Sequence, residues 1–106
     1  MKNKKMIRLN FRESVLKRDE YKCRVCGRND VKLDIHHITD RTLMTSQGYC
    51  IENGITLCDT ENGCHIKAEK YHISGGKIFI NGFHPDDLYK LINSSYELAC
   101  KKLKEL

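Results

Sequence analysis

The chain has 106 residues, a formal charge of +5 from 19 Lys and Arg against 14 Asp and Glu, and six cysteines. That length holds one small domain with a modest buried core, for which a metal staple is physically reasonable, and apolar runs such as Ile78-Phe79-Ile80 are far too short to cross a membrane. A disulfide-framed secreted protein is disfavoured because the chain opens Met1-Lys2-Asn3-Lys4-Lys5 and not with a hydrophobic signal, so an intracellular protein with reduced cysteines is expected.

Residues 1–10 form a basic segment in which Lys2, Lys4, Lys5 and Arg8 can lie along a phosphate backbone without folding first. Over residues 11–19, Phe11, Val15 and Leu16 recur at helical spacing among charges, which predicts a short amphipathic helix. Tyr21 to Gly27 reads as a knuckle presenting Cys23 and Cys26, with Gly27 permitting the reversal. A turn at residues 28–30 leads to a predicted strand over 31–38, and a polar stretch with Gly48 leads to a second strand over 54–57.

After Cys58 a polar loop delivers Cys64, and residues 65–71 are good helix formers that stop before Gly75-Gly76. Residues 77–83 predict a brief strand or hairpin. Pro85-Asp86-Asp87 is a favourable first helical turn, and Leu88, Leu91, Ile92, Ala99 and Leu103 then form one apolar stripe of an amphipathic carboxy-terminal helix. The expectation is an α+β fold in which a strand, loop, strand and helix carry zinc at their ends, flanked by an amino-terminal helix and by residues 73–106 packed on the same domain.

The chemistry-bearing residues are concentrated in one stretch. Two cysteines on a tight knuckle offer both sulfurs to one tetrahedral ion, so Cys23, Cys26, Cys58 and Cys64 are predicted to close a structural Zn2+ site. Cys50 is an alternative to Cys58 if the register differs, whereas Cys100 on the last helix reads as a core residue. His65 and Glu69 lie one helical turn apart and can touch one ion, while seven residues separate His65 from His72, a rise of about 10 Å that keeps them from sharing it. Asp34 shares a strand face with His36 and is predicted to orient its ring, with direct ligation as the alternative. His84, before Pro85, reads as a helix cap or a surface residue, and Asn53-Gly54 taken alone is also an ordinary turn dipeptide.

In order, His36-His37, then Asn53-Gly54-Ile55-Thr56-Leu57-Cys58, then Cys64-His65 within a cysteine frame resemble the HNH endonucleases of the ββα-metal superfamily, over roughly residues 11 to 72. The resemblance implies His36 and His65 as ligands of a catalytic divalent ion, His37 as general base, and Asn53 as the brace that orients that base. Many members carry histidine where Glu69 stands; a carboxylate there favours harder ions, so Mg2+ or Mn2+ is expected, with Zn2+ or Ni2+ as alternatives. The family also usually has two residues, not five, between its second pair of cysteines. The implied activity is hydrolysis of DNA to a 5′-phosphate and a 3′-hydroxyl, often in a phage setting beside genome-packaging proteins.

Phosphate contacts are expected from Lys17, Arg18, Arg24, Arg28, Arg41 and Lys67. Neighbouring residues on a regular strand face opposite ways, so His36 and His37 serve one site only if the strand ends or bends there. The alternative from a different class is a non-catalytic, zinc-stabilised nucleic-acid-binding module.

Overall fold

In the computed structural model, which describes residues 3–105, the chain becomes helical at Asn3, whose side chain accepts a hydrogen bond from the Met6 amide at 2.8 Å. Helix α1 then runs over Lys4–Arg18. The basic residues Lys4, Lys5 and Arg8 are therefore helical and not an extended arm; Lys2 lies outside the described residues. The capping asparagine and an uninterrupted run without glycine or proline account for the difference, because a nucleated helix extends through residues of adequate propensity.

Phe11, Val15 and Leu16 form the buried face of α1, which lies on strand β2 (Gly54–Cys58). A Cβ at position 54 would stand 2.6 Å from Phe11 Cζ and 2.8 Å from Val15 Cγ2, so only glycine lets the helix approach this closely. Gly54 has φ −120° and opens a strand, so Asn53-Gly54 is not the turn that its dipeptide also encodes. Asp19 sews the end of α1 to the same strand. Its buried carboxylate accepts from the Thr56 amide at 2.9 Å and from Arg18 Nε at 2.8 Å, while the Arg18 guanidinium also donates to the carbonyls of Ile51 and Gly54, each at 2.6 Å.

Strand β1 (Leu33–His37) pairs antiparallel with β2, in a register that sets Leu33 opposite Cys58 and His37 opposite Gly54. Three short 3-10 turns, Arg41–Leu43, Thr45–Gly48 and Ile51–Asn53, occupy the polar connection between the strands. Helix α2 (Cys64–Ile73) follows the loop after β2 and packs against both strands. The described residues form a small α+β domain of four α-helices and one two-stranded sheet, with a core built around Ile38, Ile55, Leu57, Ala68, Leu88 and Leu103.

The carboxy-terminal region departs from the sequence reading twice. Residues 77–83 form no strand; they reverse at Gly82, with φ 90°, and deliver Phe83 to the core. The long helix is divided into α3 (Pro85–Leu91) and α4 (Tyr96–Lys104). Asn93 adopts φ 54°, and Ser95 caps α4 by accepting from the Leu98 amide at 3.0 Å, so the residues between them satisfy the backbone locally instead of extending the helix. His84 caps α3 by accepting from the Asp86 amide at 3.1 Å. No helix among the described residues is long and apolar enough to cross a membrane.

Candidate metal sites and the His37 loop

The knuckle turns at Gly27, with φ 80°, whose amide reaches the Cys23 carbonyl at 2.9 Å. On the other side, the wider loop after Cys58 tightens on itself through Gly63 N to Thr60 O at 2.9 Å, and this folding lets five intervening residues deliver Cys64 where two would ordinarily suffice. The sulfurs of Cys23, Cys26, Cys58 and Cys64 all lie within 4.8 Å of one another, with Cys26 and Cys58 at 3.7 Å. Tetrahedral zinc with bonds of about 2.3 Å sets its sulfurs about 3.8 Å apart, so the cluster fits a structural ion.

Amides of Cys26 and Cys64 already point at the Cys23 and Cys58 sulfurs, at 3.5 and 3.3 Å. Burial opposes ionisation at Cys23, but amide hydrogen bonds from Cys26, Val25 and Cys58 outweigh it and bring the thiol down to about 7; burial holds the Cys64 thiol high. Cys50 is not part of this cluster: its thiol is buried 3.7 Å from the Ala99 carbonyl, and Cys58 keeps its place in the register. Cys100 is half-buried on α4.

A second cluster lies where β1 meets α2. One ligating atom each from His36, His65 and Glu69 falls within 4.8 Å of the others. Glu69 Oε1 is 3.1 Å from His36 Nδ1 and 3.2 Å from His65 Nε2, and the two imidazole centroids are 5.4 Å apart. Hydrogen bonds from His36 and then His65 hold the Glu69 carboxyl well below the usual carboxylate range; burial pulls His36 down, while Glu69 pushes His65 up. His65 is oriented from behind, because its Nδ1 lies 3.3 Å from Asp59 Oδ1 and leaves Nε2 to face Glu69.

Asp34 does not orient His36. Its carboxylate takes Arg12 at 3.0 Å and stands 4.0 Å from His65 Nδ1, while Glu69, from the neighbouring helix, takes the His36 ring. His72 lies outside the three-residue group but is not idle: it stacks on His36 with centroids 5.0 Å apart, and its Nε2 donates to the His37 carbonyl at 2.9 Å.

His37 takes the other face of the strand, as alternation requires. Its ring lies 4.9 Å from that of Phe11 and 5.0 Å from that of Tyr49, whereas the His36 ring lies against His65 and His72. Burial, reinforced by His36, pulls the His37 pKa down to about 4, and its Nε2 is buried without a hydrogen-bond partner.

The segment following His37 is pinned by Asn53, which is fully buried. Its Oδ1 accepts from the Thr39 amide and the Tyr89 hydroxyl, each at 2.8 Å, and its Nδ2 donates to the carbonyls of Thr39 at 3.1 Å and Gly48 at 3.3 Å. Gly48 lies so near that a Cβ there would be 2.7 Å from Asn53 Nδ2 and 3.6 Å from His37 Cδ2. Asn53 thus holds both ends of the loop that passes His37. Asp59 and Tyr89 were missed in the sequence; Asp59 follows a predicted ligand directly, but nothing local marks Tyr89, 36 residues beyond Asn53.

The six basic residues singled out for phosphates divide into two groups. Arg18 is committed to Asp19 and to carbonyls, and Arg24 sits 3.6 Å from Asp19 and also donates to the Leu91 carbonyl. Arg28 makes an exposed pair with Asp30 at 3.2 Å, Arg41 reaches the Tyr49 hydroxyl at 3.4 Å, Lys67 lies over the Phe83 ring at 5.9 Å, and Lys17 is exposed. Comparison of the chain with models of protein families, with curated proteins and with solved structures finds no match.

Proposed function

We propose that this chain is a metal-dependent DNA endonuclease of the ββα-metal type, which hydrolyses phosphodiester bonds and carries a structural zinc on Cys23, Cys26, Cys58 and Cys64. One observation carries the reading: two imidazoles and a carboxylate, drawn from β1 and α2, converge within 4.8 Å beside an antiparallel strand pair. His36, His65 and Glu69 would hold the catalytic ion, and this mixed donor set suits Mn2+, Ni2+ or Zn2+ as well as Mg2+. When bound, such an ion supplies positive charge for the phosphate and for the departing sugar oxygen.

The rest falls to the chain's own side chains. A pKa of about 4 keeps His37 neutral at pH 7, with a lone pair free to take a proton from water, and also makes it a weaker base than an ordinary histidine. Asn53 keeps the loop beside that ring closed, Asp59 keeps His65 turned toward Glu69, and Lys17, Arg28 and Arg41 position the duplex through its phosphates. Phage packaging proteins are the partner class that the sequence resemblance brings with it.

A second reading, a zinc-stabilised nucleic-acid-binding module without activity, draws on one specific observation: the His37 ring packs against Phe11 and Tyr49, on the strand face away from His36. Supercoiled plasmid incubated with Mg2+, Mn2+, Ni2+ or Zn2+ separates the two. The expected result is chelator-sensitive nicking that falls by about 10²-fold or more in His37→Ala, with folding retained. Wild-type protein that binds the plasmid and cuts with none of the ions would overturn the nuclease reading, and His37→Ala that cuts like wild type would remove His37 from the role of base.

A further inference from the structure

Tyr89 belongs to α3, outside the strand, strand and helix unit that carries the candidate site, yet its hydroxyl is buried at the centre of the His37 loop. It lies 2.8 Å from Asn53 Oδ1 and 2.7 Å from Thr39 Oγ1. The direction of each bond follows from proton count. The Thr39 amide donates to Asn53 Oδ1, which identifies that atom as the carbonyl oxygen and an acceptor only, so the single Tyr89 proton must go to it. The Thr39 hydroxyl must then donate to the Tyr89 oxygen. One chain of hydrogen bonds runs from Thr39 through Tyr89 to Asn53 and back to the Thr39 amide, closing a ring two residues beyond His37. Burial raises the Tyr89 pKa to about 12, so the hydroxyl stays a donor throughout the working range.

We infer that Tyr89 is a positioning residue: its hydroxyl latches Asn53 and Thr39 together and so fixes the backbone from which His37 projects, making α3 part of the reaction centre. Three other bonds pin the same segment, Ile38 N to Asn53 O at 2.9 Å, Asn53 Nδ2 to Thr39 O at 3.1 Å, and His72 Nε2 to His37 O at 2.9 Å. All of these come from the unit that already bears the site. Arg24 to the Leu91 carbonyl and Ser94 to the Glu52 carbonyl also join this unit to the carboxy-terminal region, but among the described residues it is the Tyr89 hydroxyl that carries hydrogen bonds from that region to Thr39 and Asn53, and that gives α3 a role beyond covering the core.

The inference rests on the nuclease reading, so its test carries one readout that does not depend on turnover. In the full zinc-loaded chain, Tyr89→Phe removes only the hydroxyl, and kcat for plasmid nicking is expected to fall about tenfold with KM unchanged. Thr39→Val is expected to act through the same ring, so the double variant loses little more than either single change. Leu103→Ala, a core truncation on α4, is the control for lost stability; per folded molecule it leaves kcat intact. Independently of activity, hydrogen exchange at the Thr39 amide is expected to quicken in Tyr89→Phe beyond any global loss of protection, and not in Leu103→Ala.

Wild-type kcat in Tyr89→Phe overturns the inference, as does a loss that Leu103→Ala reproduces. If wild-type protein shows no turnover at all, the nuclease reading fails by itself, and exchange at Thr39 then decides the latch: unchanged exchange in Tyr89→Phe rejects it, and local quickening upholds it.

Discussion

The thiol cluster and the imidazole cluster meet at the passage from β2 into α2, where Cys58 and Cys64 serve the first and His65, oriented by Asp59, serves the second, yet they differ in how far they are closed. The first gathers four like donors, three of them buried, with amides already aimed at two sulfurs. The second gathers three mixed donors, of which only His36 is buried while His65 and Glu69 remain half-open. Zinc bound by four protein ligands has no coordination position left for chemistry, whereas a site with three protein ligands keeps room for water or substrate. Under the proposed function, this contrast would make one cluster the scaffold and the other the working site, on a single short segment.

The sharpest way to break that division is to attack the closed site. Cys23→Ser, or exhaustive chelation of the wild-type chain, is expected to abolish cooperative folding, because zinc binding to such thiolates supplies about 10 kcal/mol or more of folding free energy. Circular dichroism melts with and without added zinc check this. A variant that melts like wild type would show that the four thiols are only neighbours.

Glu69→Ala probes the open site and is expected to do the reverse. Mn2+ affinity measured by calorimetry should fall by at least about 10-fold to 100-fold, the loss typical of removing even an outer partner of a metal site, while the melt stays near wild type. Loss of folding in place of metal affinity would put Glu69 in the scaffold. The smallest effect is expected at Arg12, whose pair with Asp34 is about two-fifths exposed on both sides. Arg12→Ala should cost less than about 1 kcal/mol in denaturant unfolding, and a larger loss would mean that Asp34 depends on it to stay clear of His65.

What was legible in the sequence was local. Cys23 and Cys26 on a knuckle, His65 and Glu69 one helical turn apart, and the order of two strands and a helix each follow from spacing within a few residues. What was not legible depends on partners far along the chain. That Glu69 and not Asp34 meets His36 depends on where α2 lands on the sheet, and the Tyr89 latch spans 36 residues with no periodic signal. The start of α1 at Lys4 and the break between α3 and α4 turn on single capping side chains, Asn3 and Ser95, which an apolar stripe does not register. Strand alternation did state in advance that His36 and His37 would part company unless β1 bent, and the structure sends them to different neighbours.

The buried carboxylate of Asp19 has a consequence for how a duplex would be held. A cation that meets a DNA phosphate displaces condensed counterions, and their release into solution drives association and makes it weaken as ionic strength rises. Arg18 and Arg24 are already turned inward to Asp19 and to backbone carbonyls, so they have little to offer this exchange. Attraction to DNA would then draw on fewer side chains than a count of basic residues implies, and it would fade more gently with added salt than the chain's net charge leads one to expect.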